Sequence, residues 1–73
     1  MTDVFVDRIV SELLKTYTTD DMTFMGLMDY RYQDLHRELK FTYGIRTYGE
    51  RSKIRKKLEL VLLRKYNINY GIN

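Results

Sequence analysis

Of the Ser, Cys and His residues that most often carry nucleophilic catalysis, this 73-residue chain has two serines, one histidine and no cysteine. Nucleophilic catalysis needs the attacking group beside an activating base, with a third group orienting that base. His36 stands between Asp34 and Glu38, and neither Ser11 nor Ser52 is near it in sequence. It therefore reads as a partly exposed structural residue. A metal site needs His, Asp or Glu ligands that converge. Asp29 with Gln33, and Asp34 with Glu38, have i, i+4 spacing, but ordinary solvated helices carry the same pairs. Gly26, Gly44, Gly49 and Gly71 are scattered through the chain, which fits caps and turns rather than a phosphate-cradling loop. The expectation is a chain that binds rather than catalyses, with no cofactor and no metal.

The basic residues carry more information. Residues 1–43 hold five cations against eight acids, a net −3, and residues 44–73 hold eight against two, a net +6. Such an asymmetry points to a polyanionic partner for the basic end, although a dipolar, soluble surface has the same composition. Within that end, Lys53, Lys56, Lys57 and Arg64 fall opposite the apolar residues Ile54, Leu58 and Val61 of an expected helix. Arg46 and Arg51 flank its start, where free amides and the helix dipole favour phosphate. Tyr48 and Tyr30-Arg31-Tyr32 add hydroxyls and rings near charge. The expected nucleic-acid-binding residues are thus Arg46, Arg51, Lys53, Lys56, Lys57 and Arg64, with duplex DNA favoured over RNA.

Leu60 and Leu63 lie off the apolar stripe, Leu60 in the middle of the basic face. This supports a different reading: a protein-interaction module, or a small viral-type inhibitor that docks on a host protein. Self-association as a homodimer belongs to the same reading. Its surface would use Leu60, Leu63 and Tyr66, or the stretch containing Tyr30 and Tyr32. The bland alternative is a C-terminal tail folded over the two leucines.

Length and composition bound both readings. Seventy-three residues make one domain, and a chain this short buries only about 60% of its unfolded surface. The longest apolar run, Leu60-Val61-Leu62-Leu63, is far below the roughly 18 residues of a membrane span. With no basic-plus-apolar leader and no cysteine, the expected location is intracellular: nuclear if it acts on eukaryotic chromatin, cytoplasmic otherwise.

The positioning elements are expected to be three principal helices, four at most, in an all-α bundle. Val6, Ile9, Val10, Leu13, Leu14 and Tyr17 form a helical stripe over about Asp3 to Tyr17, capped by Thr2 or Asp3. After a turn at Thr18–Asp21, with Thr23 as a second possible cap, Met28, Tyr32, Leu35 and Leu39 continue at helical spacing towards Tyr43. A break within residues 26–34 is the alternative. Tyr43-Gly44-Ile45 reads as a helix stop. Thr47 and Glu50 have capping-box spacing for a third helix from Tyr48 to Tyr66, with Ile54, Leu58, Val61 and Leu62 inward. Residues 67–73 are expected to be a flexible tail. The alternative is a β-ribbon pairing the alternating Ile68, Tyr70 and Ile72 with Phe41, Tyr43 and Ile45.

From Leu35 onward the pattern Leu35-x-x-x-Leu39-x-x-x-Tyr43-Gly44-Ile45, then Glu50-Arg51-x-Lys53-Ile54 and Leu58-x-x-Val61-Leu62, resembles the DEK C-terminal domain family. The first helix and the acidic-threonine start at Asp20, Asp21 and Thr23 are also similar to that family. The chain departs from it by eight or nine extra residues between Thr23 and the Leu35 repeat. The resemblance covers most of residues 6–63. It implies a winged-helix-like, three-helix DNA-binding module, with Arg51, Lys53, Lys56 and Lys57 on the third helix facing the nucleic acid.

Overall fold

Thr2 opens the first helix: its Oγ1 accepts the Phe5 amide at 3.2 Å, satisfying one orphan donor. Helix α1 (Asp3–Leu13) buries Val6, Ile9, Val10 and Leu13. The chain is a computed structural model that describes residues 2–70, and side chains through residue 68. Helix α1 ends at Leu13, short of the expected Tyr17. Residues 14–16 form a turn in which the Thr16 hydroxyl donates to the Leu13 carbonyl at 3.3 Å, a local bond that competes with helix propagation. Tyr17 is buried all the same.

The next segment departs most from expectation. Thr18 Oγ1 accepts the Asp20 amide at 3.3 Å, and the Asp21 carboxylate accepts the Thr18 amide at 2.8 Å. This reciprocal cap closes one 3-10 turn, Thr19–Asp21, and no helix follows it. Strands β1 (Met22–Thr23) and β2 (Gly26–Leu27) then pair antiparallel, with Met22 opposite Leu27 and Thr23 opposite Gly26. The Thr23 hydroxyl donates to the Gly26 carbonyl at 2.9 Å and accepts the Met25 amide at 3.2 Å. Gly26 has φ 142°, a conformation side chains strongly disfavour. Thr23 therefore closes a hairpin instead of capping a helix, and the fold is helical with a short two-stranded sheet rather than strictly all-α.

Helix α2 (Asp29–Phe41) starts after that hairpin and runs unbroken, so neither the start at Thr23 nor the alternative of two short helices holds. Its exit matches expectation: Gly44 takes φ 69°, and the Ile45 amide returns to the Leu39 carbonyl at 2.9 Å. Thr47 Oγ1 accepts the Glu50 amide at 3.3 Å and donates to Glu50 Oε1 at 2.8 Å, at the start of helix α3 (Tyr48–Tyr70). That helix passes the expected end at Tyr66, because no Gly or Pro interrupts it before Gly71. Residues 67–70 are helical, so they form neither a loose tail nor a ribbon with residues 41–45. The rest of the expected tail, residues 71–73 with Ile72, lies outside the described residues.

Helix α3 is the hub, packing against α1, α2, the 3-10 turn and both strands. The core comprises Val6, Ile9, Val10, Leu13, Tyr17, Met22, Leu27, Leu35, Leu39, Ile45, Ile54, Leu58 and Leu62. Expected core residues Leu14, Met28 and Val61 are half-buried. The hairpin supplies Met22 and Leu27 instead, because its pairing turns both inward.

Candidate functional site

The hairpin is held to the middle of α3 by one carboxylate. Glu59 Oε2 accepts the Leu27 amide at 2.9 Å, and Glu59 Oε1 is engaged by Arg55, one turn earlier. Arg55 in turn lies 5.1 Å from the centroid of the Tyr32 ring on α2. Both charged groups are largely buried, where the desolvation cost of each is offset by the other and by the amide. A Cβ at Gly26 would fall on the Glu59 carboxylate, so only glycine permits this approach of backbone to side chain.

Held in this way, the two-residue hairpin tip stands clear of the body. Phe24 is 86% exposed and Met25 92%. Between the tip and α3 lie two adjoining concavities that share Phe24 and Leu63. One, of about 260 Å³, is lined by Met22, Met25, Gly26, Lys56, Glu59 and Leu60 as well. The other, of about 200 Å³, adds Thr23, Tyr66 and Asn67. Lys56, Leu60, Leu63 and Asn67 follow at i, i+4, i+7 and i+11, so they form one stripe along α3. Together they make a shallow groove with an apolar floor.

The six basic residues expected to bind nucleic acid divide. Arg51 is half-buried and structural: its guanidinium donates to the carbonyls of Ile45 at 2.9 Å and Arg46 at 2.7 Å, closing the loop before α3. Lys57 reaches across to α1 and pairs with Asp7. Arg46, Lys53, Lys56 and Arg64 are exposed, and none has an ion-pair partner among the described residues. Lys53, Lys56 and Arg64 share the outward face of α3 with Leu60.

The residues expected for a protein partner divide as well. Leu60 and Leu63 stay exposed, since α3 continues straight past them. Tyr66 lines the same groove while packing partly on the core. Tyr30 is exposed at the start of α2, away from the groove lining. Tyr32 belongs to another cluster: its hydroxyl hydrogen-bonds that of Tyr48 at 3.0 Å, and its ring lies 4.6 Å from His36.

His36 sits between Tyr32 and Tyr48, the latter stacked on it at 5.4 Å. Its pKa is lowered, first by burial and then by the nearby Arg51 and Arg55 cations, which favours the neutral ring. Among the described residues no cluster of His, Asp and Glu could hold a metal ion, and no helix is long and apolar enough to cross a membrane.

Sequence reasoning missed Phe24, Met25 and the Arg55–Glu59 anchor. The available signal was a two-residue gap closed by Thr23 and Gly26, the pattern of a tight hairpin. Its apolar tip masked it, because turn tips are usually polar. Comparison of the chain with protein-family models, characterised proteins and solved structures finds no match.

Proposed function

We propose that this chain is a non-catalytic binding module that captures another polypeptide in the groove between the β-hairpin and α3. The observation that carries this reading is the exposed apolar surface formed by Phe24, Met25, Leu60 and Leu63. Contiguous apolar surface of this kind, rimmed by charge, has the anatomy of a protein interface: an apolar centre desolvates on contact and a polar rim sets orientation. At the tip of an anchored turn, Phe24 supplies rigid contact area with little backbone left to order, and the flexible Met25 side chain can adapt to a partner's shape.

Nucleic-acid binding by α3 is the second reading, supported by Arg46, Lys53, Lys56 and Arg64, which are exposed and have no ion-pair partner among the described residues. If all four met duplex phosphates, the log–log salt slope would be about −3.6. Leu60 counts against it, because a leucine amid the cations desolvates phosphates without offering them a partner. The two readings separate in one pull-down from lysate with and without nuclease, using the wild type, Leu60→Glu, and a Lys53→Ser/Lys56→Ser/Arg64→Ser triple variant. The groove reading expects proteins retained after nuclease and lost from Leu60→Glu. Retention that nuclease abolishes, with Leu60→Glu behaving as wild type, rejects it in favour of nucleic acid.

A further inference from the structure

Resting on the groove reading, we propose that the occupant is an acidic amphipathic α-helix of a partner protein, laid along α3 with its apolar stripe on Leu60 and Leu63 and its carboxylates towards Lys53, Lys56 and Arg64. Length comes first. The lining runs from Lys56 to Asn67, about 17 Å at a rise of 1.5 Å per residue, or three turns of an apposed helix. Phe24 stands where the two concavities meet, so successive anchors at i, i+3 or i+4, and i+7 of a partner would seat on either side of it.

Charge supplies the sign. Lys53, Lys56 and Arg64 are exposed on the face that carries Leu60 and have no ion-pair partner among the described residues. The one acid among the described lining residues, Glu59, is already engaged by Arg55 and the Leu27 amide. The rim is therefore positive and uncompensated. It attracts carboxylates on the flanks of an apolar stripe and repels a basic helix, the arrangement by which rim charges select partners and speed encounter. The apolar floor removes water from the centre, which a purely polyanionic ligand would not offset.

The test is fluorescence anisotropy with a labelled helical peptide bearing Leu at i, i+3 and i+7 and Glu on the flanks, compared with a twin carrying Lys for Glu. The acidic peptide should bind at least about tenfold more tightly at low salt, with the gap closing as salt rises. The Lys53→Ser/Lys56→Ser/Arg64→Ser variant should lose the preference while keeping its circular dichroism spectrum. Leu60→Glu should lose binding of both peptides. Equal affinity for the two peptides overturns the acidic assignment and leaves the groove reading intact. Binding of neither peptide also overturns it, and the nuclease-controlled pull-down then decides separately whether the groove reading falls. A DNA duplex bound equally by wild type and Leu60→Glu but lost from the triple variant would assign the cations to nucleic acid. A sedimentation mass of two chains that Leu60→Glu returns to one would make the occupant a second copy. Either result overturns the proposal.

Discussion

The Glu59 carboxylate accepts the Leu27 amide at 2.9 Å across thirty-two residues of sequence, and this contact sets where the hairpin tip stands against α3. Replacing Glu59 by Ala strands the Leu27 donor and leaves the largely buried Arg55 without its partner. A buried donor without an acceptor costs about 1–3 kcal/mol, and charged groups cost more. Urea denaturation should show a loss in that range. Hydrogen exchange should show faster exchange at Leu27 than at amides of α1.

Two glycines should respond oppositely to alanine. At Gly26 a Cβ meets Glu59 and φ is 142°, so Gly26→Ala should destabilise by more than about 1 kcal/mol. Gly49 lies in the first turn of α3 with nothing within 4 Å of an added Cβ. Gly49→Ala should stabilise by up to about 1 kcal/mol, since alanine loses less backbone freedom in a helix. Thermal melts of the two variants check the sign of each.

Tyr17 is 1% exposed, and its hydroxyl has no hydrogen-bond partner among the described residues. Burial is the main reason its pKa is pushed up to about 12, with the Arg31 guanidinium 3.9 Å over the ring opposing the shift. Removing an unsatisfied buried hydroxyl relieves a desolvation cost. Tyr17→Phe should be neutral or should stabilise by up to about 1 kcal/mol. A loss of more than that in urea denaturation would show that the hydroxyl has a partner in solution.

His36 makes stability depend on pH. Its folded-state pKa lies below the ordinary value of 6.5, because burial and two arginines disfavour the charged ring. The unfolded chain therefore takes up the proton first as pH falls. The contribution of the neutral ring is fully present above about pH 6.5 and is lost as pH drops from there towards the folded-state value. The urea midpoint should fall between about pH 7.5 and pH 5.5, and His36→Gln should shrink that fall by removing the titrating group. An identical fall in both proteins would place the pH dependence elsewhere.

The legible parts of this fold were those governed by local rules. The stripe Val6, Ile9, Val10 and Leu13, the left-handed turn at Gly44 and the Thr47–Glu50 cap each depend on residues within a few positions, and all three are present. The hairpin was missed because its apolar tip hid the local Thr23–Gly26 turn and because the Glu59 carboxylate that anchors the Leu27 amide comes from thirty-two residues away. The same limit applied to the site. Helical spacing placed Leu60 and Leu63 off the core stripe, but it left open a tail folded over them; in the folded chain both are exposed. The separation of Arg51 and Lys57 from the other cations depended on the carbonyls of Ile45 and Arg46 and on Asp7 of α1, which only the folded chain brings within reach.

The central claim is that the hairpin–α3 groove is where a polypeptide docks, and site-directed photo-crosslinking tests it most directly. A benzoyl-phenylalanine placed at Phe24 samples the groove. The same group at Phe41, which is also exposed (75%) but lines a different concavity with Tyr17 and Arg31, serves as control. The account predicts polypeptide adducts from position 24 that disappear with Leu60→Glu, and none specific to position 41. Adducts of equal yield from both positions, or adducts to nucleic acid alone, would contradict it.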